Sequence, residues 1–268
     1  MSRRPAVADM FYPSDKDRLK EQVDSFLKPV PKPKKVLGVV SPHAGYIYSG
    51  GVAGAVFSRI QIPETVVILG PNHRGVGAPV ALASSGNWDM PFGPVSINEE
   101  LAGLILKAPA SGIKDDPNAH IAEHSIEVQV PFLQRLRPDV AIVPITLSHL
   151  NFPDCHEIGQ ALAKVVRDYD GDVLLVASSD MTHYESQESA RYKDQLAIER
   201  ILDLDPMGLY TTVANKRISM CGVVPATIVL TACKELGATK AELVQYATSG
   251  DVTGDYAQVV GYAGLIVY

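Results

Sequence analysis

The 268-residue sequence lacks the features that mark secreted and membrane-spanning proteins. It has only three cysteines, Cys155, Cys221 and Cys233, and such a small odd number argues against a disulfide framework. No apolar run approaches the roughly 20 residues that span a bilayer. No apolar stretch follows the N-terminal residues Met-Ser-Arg-Arg-Pro, so a signal peptide is not predicted. We therefore expect a cytoplasmic protein with no membrane partner.

Excess positive charge and nucleotide-binding motifs are also missing. The formal net charge is −6 and no basic stripe is present, so nucleic acid is not expected as a partner. The sequence contains no Gly-x-Gly-x-x-Gly after a strand, no phosphate-binding P-loop and no Gly-x-Ser-x-Gly turn. It therefore predicts neither a nucleotide cofactor nor serine-hydrolase chemistry.

The composition is that of a well-packed protein, with 46% hydrophobic and 20% charged residues. Apolar strands alternate with helical segments along the whole chain, which favours an α/β fold. We expect a single three-layer α/β/α domain over residues 1–268 with a mixed, largely parallel central sheet. Residues 1–35 would form an N-terminal helix and a Pro/Lys-rich linker packed on it.

The hydrophobic pattern predicts individual elements. Strands are predicted at residues 36–40, 65–69, 140–147 and 172–177, and an antiparallel pair at 243–249 and 259–267. A hairpin is predicted between residues 78 and 97, with Trp88, Met90 and Phe92 at its tip. Helices are predicted at residues 14–27 with Ser14 as the N-cap, 50–60, 98–106, 124–136, 153–168, 186–202, 206–213 and 223–236.

Histidines follow several of these strands directly. Residues 36–40 lead into Ser-Pro-His43, and residues 65–69 lead into Gly-Pro-Asn-His73. Loops after the carboxyl ends of parallel strands form the sites of open α/β sheets, so these two loops are expected to lie side by side. Each histidine also has a purely structural interpretation: His43 could be a loop residue hydrogen-bonded to backbone, and His73 could be part of a turn.

A third strand, residues 172–177, leads into Asp180 and His183. An imidazole there could act as an acid or base, while the carboxylate sets its tautomer or binds a metal. Alternatively, Asp180 could simply cap the next helix. His149 follows the strand at 140–147, and we expect both it and His156 to be peripheral.

Cys221 immediately precedes the helix predicted at 223–236. The partial positive charge of a helix start stabilises a thiolate, which would serve as a metal ligand or a nucleophile. The alternative is a buried, inert cysteine, the role expected for Cys155 and Cys233.

The histidine and carboxylate residues His120, His124 and Glu127 are spaced as on one helical face. This weakly resembles a metal-binding helix. We expect His124 and Glu127 to lie beside the cavity as substrate-binding residues, outside the metal's ligand set. Alternatively, Glu127 hydrogen-bonds inside the protein.

Taken together, these motifs resemble the MEMO family, whose bacterial and archaeal members are also called AmmeMemoRadiSam system protein B. The resemblance covers nearly the whole chain in the expected order. It rests on Ser-Pro-His43-Ala-Gly-Tyr, Gly-Pro-Asn-His73, Trp88 with Met90-Pro91-Phe92-Gly93, Glu-His-Ser-Ile-Glu-Val-Gln-Val-Pro-Phe-Leu at 123–133, Ser-Ser-Asp-Met-Thr-His-Tyr at 178–184, and Cys221-Gly222.

The resemblance implies the fold of the class III extradiol (LigB-type) dioxygenases, in which two histidines and a glutamate hold Fe(II). Carried over to this chain, it implies His43 and His73 as metal ligands, with Cys221 in place of the glutamate. It also implies His183 as the acid–base residue and Asp180 as a neighbour of the metal.

The thiolate distinguishes the implied site from that of the dioxygenases. Because a thiolate is a soft ligand that favours copper(I), zinc or iron, dioxygenase activity does not follow from the fold. We expect a metal-dependent oxidoreductase that uses iron or copper, with zinc as a further candidate. A small molecule or peptide would be its ligand, and the family name implies a radical-SAM protein as a partner. The alternative is a non-catalytic binding module that holds a peptide or anionic ligand in the same cavity.

Overall fold

Four apolar segments form the parallel centre of the sheet in the computed structural model, which describes residues 2–109 and 112–268. Their side chains are buried on both faces, as expected for strands covered by helices on either side. The strands are β1 Ser2–Arg3, β2 Gly38–Ser41, β3 Thr65–Pro71, β4 Val80–Leu82, β5 Asn87–Trp88, β6 Val95–Ile97, β7 Lys114–Asp115, β8 Ala141–Leu147, β9 Val173–Ser178, β10 His183–Glu185, β11 Ala241–Thr248 and β12 Val259–Val267.

The helices alternate with these strands, as the hydrophobic pattern predicts. They are α1 Lys16–Phe26, α2 Tyr46–Ser58, α3 Glu99–Lys107, α4 Val130–Leu136, α5 Phe152–Asp168, α6 Gln187–Leu202, α7 Pro206–Asn215, α8 Val223–Glu235 and α9 Gly250–Thr253, with 3₁₀ turns at Pro117–His120 and Glu127–Gln129. None of the helices within the described ranges is long and apolar enough to cross a bilayer.

The sheet is mixed and largely parallel, which confirms the predicted fold class. Its principal order is β1-β5-β6-β8-β3-β9-β2-β12-β10. Strands β6, β8, β3, β9 and β2 run parallel to their neighbours in this series. Strand β12 is antiparallel to β2, and β11 pairs antiparallel with β12 as predicted.

The His43 and His73 rings lie 5.2 Å apart, so the two loops come together as expected, but not on neighbouring strands. The two histidine-bearing strands, β2 and β3, are not neighbours, because β9 lies between them and pairs with both. The hydrophobic pattern shows which segments are buried strands but contains no information about which of them pair. As a consequence, Ser178 and Asp180, at the end of β9, lie between the loops that carry His43 and His73.

Helices cover both faces of the sheet, and close contacts at two glycines show which helix packs on which face. A Cβ atom on Gly38 would lie 2.6 Å from Cys233 Sγ in α8. A Cβ atom on Gly264 would lie 2.4 Å from a methyl group of Val56 in α2. Because side chains alternate along a strand and Leu265 pairs with Val40, these two glycines face opposite sides. Helix α8 therefore packs on one face and α2 on the other, each very close to the backbone.

The predicted hairpin differs from the structure. Residues of β5 and β6 pair with each other, whereas β4 pairs antiparallel with β8. Trp88 lies within β5 and is only 2% exposed, so it does not lie at the tip of the hairpin. Strand β4 lies between β7 and β8, where its three apolar residues are all buried.

Two predicted helices begin later than expected. Asp15, rather than Ser14, caps α1 by accepting the Arg18 N–H, while Ser14 Oγ donates to Asp9. The helix predicted at 124–136 becomes a 3₁₀ turn followed by α4. Residues 124–126 are not helical, and the Glu123 carboxylate accepts the backbone N–H groups of the first two of them.

Candidate metal centre

The loop after β2 carries His43, and hydrogen bonds from β9 determine its tautomer. Ser178 Oγ donates its only proton to Ser125 O at 2.6 Å and accepts from Gln129 Nε2 at 2.8 Å. It must therefore also accept the 2.9 Å hydrogen bond from His43 Nδ1–H. This leaves the Nε2 lone pair of a buried imidazole free to bind a metal.

The loop after β3 carries His73, which is oriented by Glu123. The Nδ1–H of His73 donates to Glu123 Oε1 at 2.9 Å, and its backbone N–H donates to Oε2 at 2.6 Å. A carboxylate on one ring nitrogen is the usual way in which proteins orient a metal-binding histidine. The Nε2 of His73 is thus left available as a ligand, like that of His43.

Cys221 approaches the two histidines from the start of α8. Its Sγ lies 3.3 Å from His43 Nε2 and accepts the Asp180 backbone N–H at 3.2 Å. The loop can come this close because Gly222 lies against β9, where any Cβ atom would be 2.4 Å from Ser178 O. The glycine after the cysteine is therefore a steric requirement of the site.

The three candidate ligand atoms converge. Those of His43, His73 and Cys221 all lie within 4.8 Å of one another. For ligand bonds of about 2.0–2.3 Å, a tetrahedral ion needs ligand atoms roughly 3.3–3.8 Å apart. The 3.3 Å between His43 Nε2 and Cys221 Sγ falls in this range. A donor set of two neutral imidazoles and one sulfur fits a borderline or soft transition metal.

A second group of potential ligands, His73, Glu123 and His124, also lies within this distance. Here, however, the Glu123 oxygens accept N–H groups from His73 and from the backbone of His124 and Ser125. A carboxylate so fully engaged orients its neighbours and has little remaining capacity to bind an ion. We therefore interpret this second group as a support for the His43/His73/Cys221 group and not as a second metal site.

Known proteins resemble this chain over nearly its whole length. The family model described as "Memo-like protein" matches residues 3–266. A MEMO1 family protein of Aquifex aeolicus is 46% identical over 266 residues, covering 98% of both chains. A second, from Pyrobaculum arsenaticum, is 42% identical over 278 residues and covers 99% of both. A third, from Methanopyrus kandleri, is also 42% identical, over 280 residues.

The chain belongs to the Memo-like protein family. This confirms the resemblance drawn from its motifs. Among solved structures, an uncharacterized protein from Escherichia coli K12, JW3007, matches with a TM-score of 0.56 and 12% sequence identity, covering 85% of this chain and 99% of that one. At that identity the match concerns the fold alone.

Burial favours the neutral imidazole at two histidines of this Memo-like site, His43 and His124. Burial, followed by the charges of His124 and His73, holds the pKa of His43 well below its usual range. Burial likewise lowers the pKa of His124 to about 4, even though the charge of Glu123 acts in the opposite direction. Because a metal binds only unprotonated imidazole, His43 is in the form that a metal ligand requires at neutral pH.

Burial has a different consequence for Cys221, because the neutral form of this side chain is the protonated thiol. Burial, together with the charge of Asp180, raises the pKa of the thiol above its usual range. A bound cation would favour the thiolate, so binding of a metal here would be coupled to release of the Cys221 proton.

Asp180 and His183 lie next to this centre. Asp180 Oδ1 accepts the His43 backbone N–H at 2.8 Å, and burial raises its pKa to about 6. His183, in the unpredicted strand β10, donates Nδ1–H to Ser219 O at 2.9 Å. Its Nε2 is therefore unprotonated in the neutral ring, as an acid–base residue requires.

The two predicted substrate-binding residues lie in different places. His124 is part of the cluster, with its ring stacked at 4.6 Å on His73 and 5.5 Å from His43. Glu127 is fully buried and accepts hydrogen bonds from Tyr12 and from the backbone of Ala6 and Val7. This differs from the predicted substrate contact, because those bonds and Arg3 occupy both carboxylate oxygens.

Glu123, Ser178 and Gln129 are supporting residues that the sequence analysis did not single out. All three lie within motifs that carried the family resemblance, but a buried serine or glutamine has no recognisable spacing of its own. Among the remaining histidines, His149 is exposed and His156 stacks on Phe152 at 5.7 Å. Neither belongs to the two potential metal-binding groups of the described residues.

Proposed function

We propose that this protein is a metal-dependent oxidoreductase that binds iron or copper on His43, His73 and Cys221. The observation that carries the proposal is the pairing of His43 with Cys221. The tautomer of His43 directs an unprotonated Nε2 towards a sulfur only 3.3 Å away. Two potential ligands of different chemistry thus meet at one point, where a metal would take the place of the thiol proton between them.

The ligand set favours a redox metal over magnesium or calcium, because sulfur and imidazole are softer ligands than oxygen. A bound iron or copper ion would supply one-electron chemistry to the site. The protein's own residues have separate tasks. Glu123 and Ser178 hold the imidazoles, and the free Nε2 of His183 holds or moves a proton of the ligand.

The experiment is metal analysis of protein reconstituted anaerobically with Fe(II) or Cu(I), without an affinity-tag metal. The wild type should retain about one ion per chain, and the variants His43→Ala and Cys221→Ala should each lose it. His149→Ala and Cys155→Ala are the matched controls and should retain it. Failure of the wild type to hold either ion tightly would end the proposal.

The alternative function, a binding module, is favoured by one observation near the same histidine cluster. Arg74 donates Nε–H to Ala122 O at 3.2 Å, and within the described ranges no carboxylate forms an ion pair with it. Its charge also acts on His124, whose pKa burial lowers to about 4. Such a guanidinium can hold an anionic group of a small molecule or peptide.

Calorimetry with acetate and inorganic phosphate separates the two functions. Anion binding by metal-free protein that is lost in Arg74→Met would favour the binding module. Anion binding that appears only after metal loading would favour the oxidoreductase. The radical-SAM partner and the cytoplasmic location expected from the sequence stay predictions.

A further inference from the structure

The side chain of Arg3 is buried beside the candidate metal centre although it touches none of its ligands. Only 8% of this side chain is exposed. Its Nε–H donates to His120 O and its Nη2–H to Glu123 O, each at 2.7 Å. The guanidinium also lies 4.1 Å from the centre of the Trp88 ring. One planar group therefore holds both ends of the turn formed by residues 120–123.

The charge of Arg3 is balanced by Glu127. Its Nη1 lies 2.7 Å from Glu127 Oε2. Glu127 also accepts the Ala6 N–H at 2.7 Å, the Val7 N–H at 3.1 Å and the Tyr12 hydroxyl at 2.6 Å. Burying an ion pair is favourable only when further hydrogen bonds satisfy both groups, and this pair meets that condition. The N-terminal segment, residues 2–12, is thereby fixed to the turn.

The turn that Arg3 holds is hydrogen-bonded to the candidate metal ligand His73. Its last residue, Glu123, carries the carboxylate that accepts both His73 N–H groups. The same N-terminal segment also contacts the histidine cluster through Phe11. The Phe11 ring packs 4.8 Å from that of His124, and Phe11 O accepts the N–H of Tyr46, close after His43.

We propose that Arg3 is a positioning residue of the His43/His73/Cys221 centre and acts through Glu123. This inference rests on the proposed metal site. By fixing the carbonyl oxygens at 120 and 123, Arg3 determines where the Glu123 carboxylate lies and hence which nitrogen of His73 carries the proton. Loss of such support typically weakens metal binding by about 10–100-fold.

The test uses Arg3→Met, with Arg4→Met as the matched control because Arg4 is exposed. Nitrogen-15 NMR of the metal-free protein should give a single Nδ1–H tautomer for His73 in the wild type and in Arg4→Met. Arg3→Met should give a mixture of tautomers. Its zinc affinity, measured by competition with a chromophoric chelator, should fall at least tenfold, whereas Arg4→Met should stay within twofold.

Two further variants separate positioning from stability. Arg3→Met/Glu127→Gln removes the unpaired buried carboxylate, so the melting temperature should recover towards the wild-type value. The zinc affinity should not recover, because the two carbonyl oxygens still lack their donor. Should Arg3→Met not fold, Arg3→Lys tests the same point, since its ammonium can neutralise Glu127 but cannot bridge both carbonyls.

An unchanged His73 tautomer and a zinc affinity within twofold of wild type would overturn the inference, even if the variants were less stable. A wild type that binds no zinc, iron or copper would instead contradict the proposed function. In that case the tautomer of His73 in the metal-free protein still decides the role of Arg3.

Discussion

His43 donates its Nδ1–H to Ser178 Oγ over 2.9 Å, although the two residues are 135 positions apart in the sequence. The contact exists because β2 and β9 are adjacent parallel strands, with Ser41 paired to Ser178. The end of one strand thus supplies the group that orients the histidine following its neighbour. This is how an open α/β sheet brings distant residues together at its carboxyl edge.

Replacing Ser178 with alanine should weaken metal binding without unfolding the protein. The change removes the acceptor of the His43 Nδ1–H, so the imidazole can also adopt the tautomer that protonates its ligand nitrogen. We expect the dissociation constant for zinc to rise by about 10–100-fold, measured by chelator competition. Ser25→Ala, on the exposed face of α1, is the control and should leave it unchanged. Equal affinities in Ser178→Ala and wild type would show that the hydroxyl does not prepare the ligand.

Much of the site could be predicted from the sequence because apolar strands that end in polar turns are a local signal. His43, His73 and Asp180 each follow such a strand, and the structure brings all three to one place. Cys221 was recognisable for a different local reason, its position before a helix. These four residues could be selected as candidates without knowing which strands pair.

The pairing of the strands itself could not be predicted. Nothing in β9 distinguishes a strand that lies between β2 and β3 from one that lies outside them, because all three are apolar on both faces. Glu127 illustrates the same limit. Its helical spacing from His124 suggested a shared cavity, but its donors belong to the N-terminal segment, more than 100 residues earlier.

Glu123 should stabilise the fold in a pH-dependent way. Burial raises its pKa, but the hydrogen bond and charge of His73 and the Ser125 N–H outweigh that effect and lower it to about 2. Because the folded pKa lies below the unfolded value, the stabilisation is present above about pH 4.5 and is lost as the pH falls towards 2. Its full size is of the order of 3 kcal/mol.

The Glu123→Gln variant tests this by urea unfolding at several pH values. The variant should be less stable than wild type at pH 7, and the difference should shrink steadily below pH 4.5. Glu157→Gln, at an exposed position on α5, should match the wild type throughout. A difference in stability that stays constant from pH 7 to pH 3 would contradict the ionised, hydrogen-bonded state of Glu123.

His183 should be dispensable for metal binding. It lies in β10 with its Nδ1–H on Ser219 O and is not one of the three converging ligands. His183→Gln should therefore retain about one metal ion per chain, with an affinity within about threefold of wild type. Loss of the ion from this variant, to the extent seen in His43→Ala, would make His183 a ligand rather than an acid–base group.

Gly38 should be intolerant of any side chain because α8 packs directly on β2. An added Cβ would lie 2.6 Å from Cys233 Sγ and 3.0 Å from a methyl group of Val229. We expect Gly38→Ala to lower the free energy of unfolding by about 1–3 kcal/mol. Part of this loss should be recovered in Gly38→Ala/Cys233→Ala, which removes the nearest atom.

Gly51 in α2 provides the control for that prediction, since an added Cβ there meets nothing within 4 Å. Gly51→Ala should raise the free energy of unfolding by about 0.5–1 kcal/mol, because alanine favours the helix. Denaturant unfolding of the four proteins measures all three effects. A Gly38→Ala protein as stable as wild type would mean that the sheet and α8 pack less closely than described.

X-ray absorption spectroscopy at the edge of the bound metal tests the central claim most directly. The sample would be protein reconstituted anaerobically with Fe(II) or Cu(I), beside Cys221→Ser treated in the same way. We predict one sulfur scatterer at about 2.3 Å and two imidazole nitrogens at about 2.0–2.1 Å in the wild type, with the sulfur absent from the variant. A bound ion without sulfur in its first shell, or a sulfur that persists in Cys221→Ser, would contradict the His43/His73/Cys221 centre.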